Sequence, residues 1–467
     1  MRFICHMQRV PQLITDRLYL GSSSAATNLE ELKRLGIDSV LCVNTITPFP
    51  DETERKKIFK NYFQISETDE EKTNIIQYFD TVIAWIDDCL DSDPKSNVLV
   101  HCSAGMSRSA TLIIAYVMKK FDKNAEEAYQ YVRERRCCIA PNTGFLTQIQ
   151  LYQDIGKSFS GPMFEQYVFN QIFNNDKDHP SFVSLNYLKM VDFPPKFLLE
   201  KYELYQELEK EQLEDASIEG QLVQHMTEDT CTKKLSHQFS KLITLELQWN
   251  YIQNLESLVK FNLHEMVELD LSHNCIEQIP IELFTNLPQL RILNLSYNKI
   301  QSLPKSPIRD TKSETPLDTM VVTTHESTTE STTTDPHNEN LNHRSVLPTE
   351  SSSTVSPTVT IETNAERSTK LVDLRLGHNL IEQICEDNEE VFRVILKNLE
   401  MLDLSHNKLK CIPSYEKCFS HLQSLRVLSL YHNCFEREPE VIGQLRNMGK
   451  IVYYSAQTQN LREILKI

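Results

Sequence analysis

The sequence predicts an α/β domain in the N-terminal third of the chain, followed by a solenoid of short repeats. Between residues 11 and 155, short runs typical of buried strands alternate with amphipathic helical patterns, which indicates a sheet flanked by helices. From Leu242 onward, a leucine-rich pattern recurs at nearly constant spacing. A chain of 467 residues is also too long for one ordinary domain.

Composition and charge argue against several classes of protein. The formal net charge is −17, and most of it falls in residues 161–467. An acidic surface repels nucleic acid and anionic membranes, so we expect neither as a partner. The longest apolar helical run, Leu112–Met118, is too short to span a membrane, and the sequence begins without the apolar stretch of a signal peptide. We therefore expect a cytoplasmic or nuclear protein whose cysteines are free thiols.

The repeat has the form Leu-x-x-Leu-x-Leu-x-x-Asn-x-Ile, and it occurs six times. One copy cannot bury its apolar face, whereas a stack of copies can, and the Asn side chain can bond the backbone where the chain turns. This pattern resembles leucine-rich repeats. The repeat asparagines, separated by 24, 24, 81, 28 and 26 positions, are Asn250, Asn274, Asn298, Asn379, Asn407 and Asn433.

The one long step between repeats contains a Thr/Ser-rich segment. Its composition cannot bury a core, so we predict a disordered insertion at about residues 305–367. The predicted domains are then a catalytic domain at residues 10–157, a helical connector at 158–236 and the repeats at 237–456. The residue between the two strand leucines of each copy faces the concave side, where we expect a protein partner to bind. These concave residues are Glu246, Asp270, Asn294, Arg375, Asp403 and Ser429.

The segment Val98–Ala110 carries the chemistry, because it reads as a strand, a short loop and then a helix. A loop at the N-terminal end of a helix presents unpaired N–H groups, which suit an anion of phosphate size. Gly105 allows the backbone to approach closely, and Arg108 offers a planar fork to two phosphate oxygens. Cys102 lies at the base of the loop, where the same field favours a nucleophilic thiolate.

This loop resembles the His-Cys-x-x-x-x-x-Arg loop of the cysteine-dependent protein tyrosine phosphatases. Its Ala-Gly-x-Ser-Arg-Ser character is that of the dual-specificity subgroup, and the resemblance extends over residues 10–155. It implies the fold of that catalytic domain, a central mostly parallel sheet flanked by helices. The other matching segments are Val10–Ile14, Leu18–Gly21, Arg135–Arg136 and Pro141–Phe145.

The reaction of this family needs a proton donor for the leaving oxygen. In the family, the donor is an Asp on a loop about thirty residues before the cysteine. The register with the following helix assigns this role to Asp69, which lies 33 positions before Cys102, and Glu67 is the alternative.

The resemblance implies the remaining roles as well. His101 would orient the loop and favour the thiolate, Ser109 would help the phosphocysteine to break down, and Asn142 would brace the loop. No metal or cofactor is required. The backbone N–H groups that would hold the phosphate belong to Ser103, Ala104, Gly105, Met106, Ser107 and Arg108.

The sequence thus predicts a protein phosphatase that acts on phosphotyrosine and phosphoserine/threonine, with repeats that recruit its phosphoprotein substrate or another partner. Two alternatives stay open. One is a scaffold that binds phosphate without catalysis. The other is a phosphatase of a non-protein substrate, such as a phosphoinositide or an RNA 5′-phosphate. The loop carries no lysine, which favours a singly phosphorylated side chain over a highly charged inositol phosphate.

Overall fold

The structure is a computed structural model. It describes residues 9–173, 181–198, 239–261, 263–304, 370–384, 388–389 and 391–454. The predicted disordered insertion lies outside these described residues, as does most of the predicted connector.

The N-terminal domain is built on a five-stranded sheet. Its strand order is β1-β2-β5-β3-β4, in which β1 and β2 are antiparallel and the other neighbours are parallel. The central strands are apolar on both faces because helices cover both sides of the sheet. The mostly parallel sheet predicted from the sequence is therefore confirmed. The strands are β1 (Gln12–Thr15), β2 (Leu18–Ser22), β3 (Ile37–Val43), β4 (Asn61–Ile65) and β5 (Asn97–Cys102).

Eight α-helices are described in this part of the chain, and α5 lies at its centre. Residues 108–118 of α5 are all buried, so this helix packs on the sheet and on other helices at once. A short 3₁₀ turn, Ile76–Tyr78, leads into α4. The helices are α1 (Ser23–Ala26), α2 (Leu29–Arg34), α3 (Glu52–Ile58), α4 (Phe79–Ser92), α5 (Arg108–Lys120), α6 (Ala125–Arg135), α7 (Thr143–Asp154) and α8 (Pro162–Phe173).

The repeats form a second, fully parallel sheet. Its described strands run in chain order from β6 to β13, and each pairs with the next in register. The strands are β6 (Phe182–Ser184), β7 (Thr244–Glu246), β8 (Glu268–Asp270), β9 (Ile292–Asn294), β10 (Asp373–Arg375), β11 (Met401–Asp403), β12 (Val427–Ser429) and β13 (Ile451–Tyr453). The α-helices described among them are α9 (Glu282–Asn286) and α10 (Glu440–Asn447).

The repeat asparagines hold neighbouring repeats together, as the pattern predicts. Asn274 is typical: its side-chain nitrogen donates to the carbonyl oxygens of Leu247 and Leu271 at 2.8 and 3.0 Å. Its side-chain oxygen accepts from the backbone N–H of Ile252 at 3.0 Å. Each such side chain therefore satisfies backbone groups of two successive turns, which would otherwise be buried without partners.

The solenoid begins earlier in the chain than the repeat pattern indicates. The sequence predicts a helical connector at residues 158–236, yet β6 lies within it and pairs with β7. Val183 and Leu185 are both buried, and Val183 lies opposite Leu245. These two side chains occupy the inward positions of a repeat that has no asparagine of its own in register, so its sequence does not match the pattern of the other copies.

The residues that precede the repeat asparagines form a column of stacked rings. All have positive φ values of 52–58°, as turn residues do. Successive ring centroids lie 3.5–4.4 Å apart. Burial in this stack lowers the pKa of His273 to about 4, so its ring is neutral near pH 7. The rings are those of Trp249, His273, Tyr297, His378, His406 and His432.

A small cluster links the segment after β6 to the catalytic domain. The ammonium group of Lys189 lies 3.5 Å from the Asp80 carboxylate of α4 and 3.9 Å from the centre of the Phe159 ring. The Tyr152 hydroxyl donates to the same carboxylate at 3.4 Å.

Within the described ranges, no helix is long and apolar enough to cross a membrane.

Candidate active site

The phosphate loop, residues 103–107, connects the end of β5 to the start of α5. Because α5 runs for 13 residues, its first N–H groups and the positive end of its dipole face this loop. Gly105 has a φ of +69°, and a Cβ atom there would lie 2.2 Å from the carbonyl oxygen of Gly21. Only glycine fits that position, so the sequence dictates the tight curve of the loop.

Cys102 lies at the bottom of the loop, with 1% of its surface exposed. Its Sγ atom accepts a hydrogen bond from the backbone N–H of Gly105 at 3.3 Å and another from the Ser109 hydroxyl at 3.2 Å. Donors that face a sulfur atom stabilise its thiolate form. The sequence-predicted nucleophile and Ser109 are thus direct neighbours.

His101 is fully buried at the end of β5. Its Nδ1–H donates to the carbonyl oxygen of Cys102 at 3.3 Å, because that oxygen can only accept. Burial lowers the pKa of His101 to about 4, so the ring is neutral near pH 7. His101 therefore contributes a hydrogen bond that orients the backbone of Cys102, and it brings no positive charge.

Arg108 is 7% exposed, and one of its terminal nitrogens is fully engaged. Nη1 donates to the side-chain oxygen of Asn44 at 3.0 Å and to the carbonyl oxygen of Glu67 at 2.9 Å. Its Nε is buried and has no hydrogen-bond partner in the described part of the chain. Since Nη1 is occupied, the edge formed by Nε and Nη2 is the one that can hold two phosphate oxygens.

The carboxylate of Asp69 lies over the phosphate loop. One of its oxygens accepts from the Ser107 hydroxyl at 2.6 Å and from the Asn142 amide at 3.0 Å. The other lies 3.6 Å from Nε of Arg108. Glu67, the alternative proton donor, instead accepts from the Tyr78 hydroxyl at 2.7 Å. The geometry thus favours Asp69 over Glu67 as the carboxyl group beside a bound phosphate.

Asn142 is the N-cap residue of α7, and its side-chain oxygen accepts from the backbone N–H of Phe145 at 2.9 Å. The resemblance implies that it braces the phosphate loop. Its backbone N–H does donate to the Ser107 hydroxyl at 3.3 Å, but its amide nitrogen donates to Asp69. Asn142 therefore joins the phosphate loop to the carboxylate above it.

Sequence reasoning missed two residues of this site. Asn44 holds Arg108, and Arg136 donates to the carbonyl oxygens of Ala104 and Gly105. Arg136 belongs to a segment that matches the family, and this match was the available clue to its importance. The sequence alone, however, does not predict which groups Arg136 contacts. Asn44 directly follows β3, and a polar residue at the carboxyl end of a parallel strand was the available clue.

Known proteins resemble this domain in sequence. The family model described as "Dual specificity phosphatase, catalytic domain" matches residues 18–155. Serine/threonine/tyrosine-interacting protein B of Xenopus laevis is 40% identical over 157 residues, which are 32% of this chain and 67% of that protein. The chain belongs to the dual-specificity phosphatase family. A leucine-rich-repeat model matches residues 240–306 and 369–435, so this family member also carries leucine-rich repeats.

Other relatives of this dual-specificity phosphatase domain are larger proteins. Protein phosphatase Slingshot of Drosophila melanogaster is 39% identical over 144 residues, which are 30% of this chain and 13% of that protein. The "MAP kinase phosphatase with leucine-rich repeats protein 1" of Dictyostelium discoideum is 39% identical over 150 residues, which are 32% of this chain and 17% of that protein. The chain thus spans a small part of the length of several relatives that it matches.

Proposed function

We propose that this protein hydrolyses phosphotyrosine and phosphoserine/threonine in proteins through a phosphocysteine intermediate. One observation carries the proposal. The Cys102 sulfur, the unpaired Nε of Arg108 and the Asp69 carboxylate surround one cradle of N–H groups. A nucleophile, an anion-binding fork and a proton donor around a phosphate-sized site are the parts that phosphoryl transfer through cysteine requires.

In the first step, the thiolate of Cys102 attacks phosphorus opposite the leaving oxygen. A sulfur–phosphorus bond forms while the bond from phosphorus to the serine, threonine or tyrosine oxygen breaks. Asp69 gives its proton to that oxygen, which leaves as a neutral hydroxyl. The N–H groups of the loop and the guanidinium of Arg108 stabilise the negative charge on the three other oxygens. Such electrostatic stabilisation is the larger part of catalysis in phosphoryl transfer.

In the second step, water attacks the phosphocysteine. Asp69, now ionised, takes a proton from the water, and the sulfur–phosphorus bond breaks to release inorganic phosphate. Ser109 supports this step, because its hydroxyl lies 3.2 Å from Cys102 Sγ and can donate to the departing thiolate. The site returns to its starting state with the proton back on Asp69.

A second candidate function is a scaffold that reads phosphate without turnover. The name of the Xenopus relative, an interacting protein, motivates it. Against it stands the presence of Cys102, Arg108 and Asp69 around the same loop, with Cys102 bonded to Gly105 and Asp69 bonded to Ser107. Because the repeats extend the chain over a broad surface, we further propose that their concave side recruits the phosphoprotein substrate.

The test compares the full-length protein with Cys102→Ser and with Cys411→Ser as a matched control, since Cys411 is an exposed thiol of the repeats. Cys411→Ser should hydrolyse a small aryl phosphate as fast as the wild type does. It should also match the wild type on a phosphopeptide. Cys102→Ser should lose turnover because a serine hydroxyl is not ionised at neutral pH, yet it should still bind phosphate. Rapid quenching of the wild type should trap phosphate on Cys102.

Three outcomes would reject the proposal. Cys102→Ser activity within about tenfold of the wild type would exclude covalent catalysis by this thiol. A folded wild type that binds phosphopeptides but hydrolyses none of them, nor the aryl phosphate, would favour the scaffold. Faster turnover of an inositol phosphate or an RNA 5′-phosphate than of any phosphopeptide would instead favour the non-protein alternative.

A further inference from the structure

Behind the phosphate loop lies an arginine that the two chemical steps do not use. Arg136 follows the last residue of α6, and none of its surface is exposed. Burying a guanidinium is costly unless its N–H groups are paired, so an arginine in this place needs a physical reason.

The guanidinium of Arg136 binds the outer side of the phosphate loop. Its Nε donates to the carbonyl oxygen of Gly105 at 2.8 Å, and its Nη2 donates to that of Ala104 at 3.1 Å. Its Nη1 donates to the side-chain oxygen of Gln12 in β1. The side-chain nitrogen of Gln12 donates in turn to the carbonyl oxygen of Val10 at 2.5 Å. The guanidinium therefore binds two consecutive peptide groups of the loop, and Gln12 of β1 holds the guanidinium in place.

These contacts set the direction of the N–H groups in the loop. In a planar peptide the C=O and N–H bonds point in opposite directions. A carbonyl of Ala104 that points toward Arg136 therefore turns the N–H of Gly105 toward the centre of the loop. That N–H does face the centre, since it donates to Cys102 Sγ at 3.3 Å. In the same way, the carbonyl of Gly105 directs the N–H of Met106 inward.

The guanidinium also places a permanent positive charge next to the loop. Arginine stays protonated under all ordinary conditions. Burial lowers the pKa of Arg136, while the nearby cysteines, Cys138 first and then Cys102, raise it. The guanidinium binds the carbonyl oxygen of Ala104, and the N–H of that same peptide group donates to Cys102 Sγ, so its charge lies close behind the sulfur. His101 is neutral and cannot supply such a charge.

We propose that Arg136 is a positioning residue that turns the central peptide groups of the phosphate loop toward the phosphate and supports the Cys102 thiolate by its charge. The effect on turnover rests on the proposed function. The effects on oxyanion binding and on thiol reactivity do not, so they can be measured even if the protein turns over no substrate.

The experiment uses full-length Arg136→Lys and Arg136→Met. Lysine keeps the charge but loses the fork, and methionine loses both. Arg135→Met is the matched control, because the neighbouring Arg135 is partly exposed and lies on the Tyr131 ring, 3.5 Å from its centre. Three quantities are measured: the dissociation constant of tungstate, a tetrahedral oxyanion; the rate of Cys102 alkylation by iodoacetate in mildly acidic buffer; and the thermal unfolding temperature.

We expect tungstate to bind about tenfold more weakly to Arg136→Lys and about 100-fold more weakly to Arg136→Met. Alkylation of Cys102 should slow in Arg136→Met far more than in Arg136→Lys, since only methionine removes the charge. Arg135→Met should match the wild type in both quantities.

If Arg136→Met does not fold, the tungstate affinity of Arg136→Lys still tests the positioning role. Tungstate affinity within about twofold of the wild type in a folded Arg136→Lys would overturn the positioning role, because the fork would then be dispensable. Equal alkylation rates in the wild type and in a folded Arg136→Met would overturn the role of the charge.

Discussion

The carboxylate of Asp69 is held in place before any substrate arrives. The Ser107 hydroxyl and the Asn142 amide both donate to it, and Nε of Arg108 lies 3.6 Å away. For the proposed proton donor, orientation before substrate binding means that little conformational freedom is lost at the moment of reaction, which lowers the activation barrier.

Asp69→Ala should lower kcat by about 10²–10⁴-fold and change KM little, because the acid acts on the transition state. The loss should be larger for alkyl phosphates, whose leaving oxygen is strongly basic, than for activated aryl phosphates. Steady-state kinetics on both substrates check this. Glu67→Ala serves as the comparison and should lose far less, since its carboxylate binds Tyr78. The reverse ranking would transfer the acid role to Glu67.

The residues of the site differ in how well the sequence could predict them. Cys102 and Arg108 lie in one short motif, and Asp69 lies at a predictable distance before it, so their proximity followed from the sequence. Asn44 and Arg136 contact residues 64 and 31 positions away in the chain. Such pairs form only when β3 and α6 pack in the folded domain, and no local spacing records them.

At the level of secondary structure, the first two turns of α7 support the loop that carries Asp69. The Gln148 side chain accepts from the N–H groups of Ile75 and Ile76 and donates to the carbonyl of Thr73, all at 2.9 Å. At Gly144, a Cβ atom would lie 1.9 Å from the carbonyl oxygen of Glu71. The loop thus rests on the helix so closely that a side chain cannot fit between them.

Gly144→Ala should therefore displace the loop and lower kcat on aryl phosphates by about tenfold or more, while Cys102 and Arg108 still bind tungstate. Its control is Gly443→Ala in α10, where a Cβ atom meets nothing within 4 Å. That change should leave kcat as it is and stabilise the protein by about 0.5–1 kcal/mol, because alanine favours a helix. Kinetics, tungstate titration and thermal unfolding of both variants check this. Equal kcat in the two variants would contradict the supporting role of α7.

The repeats illustrate what periodicity can and cannot reveal about elements. Six asparagines in register were enough to predict a stack of leucine-rich repeats, because each copy repeats the same backbone contacts. Strand β6 escaped that prediction, since Val183 replaces the first strand leucine and Leu188 stands where the asparagine of the repeat would be. The segment still makes the usual contact with the asparagine of the next copy, Asn250. The N–H groups of Leu188 and Met190 donate to that side chain at 3.1 and 3.0 Å.

On the scale of the whole molecule, the described concave face carries carboxylates that are held by hydrogen bonds. Asp270 accepts from the Ser272 N–H and from the Asn294 amide, both at 2.9 Å, and Asp403 accepts from the Ser405 N–H at 2.9 Å. The guanidinium of Arg375, between them in the sheet, lies 2.7 Å from the Asp373 carboxylate. Because these carboxylates are fixed by hydrogen bonds, the phosphoprotein partner proposed for this face would carry basic residues near its phosphosite.

Reversing this charge should separate recruitment from chemistry. Asp270→Lys combined with Asp403→Lys should leave the rate on a small aryl phosphate unchanged, because neither residue contacts the phosphate loop. Dephosphorylation of a phosphoprotein that the Cys102→Ser chain retains should slow by about tenfold or more, since docking raises the local concentration of the phosphosite.

The control for this experiment is Glu256→Lys with Glu277→Lys, which makes the same change in charge at two exposed positions outside the concave strands. It should dephosphorylate the protein substrate at the wild-type rate. Thermal unfolding establishes that both double variants are folded, which matters because Asp270 and Asp403 also bind backbone N–H groups. If the two double variants slow the reaction equally, the effect comes from net charge alone, and the concave strip does not select the substrate. If the concave variant slows the aryl phosphate reaction as well, the solenoid supports the catalytic domain itself.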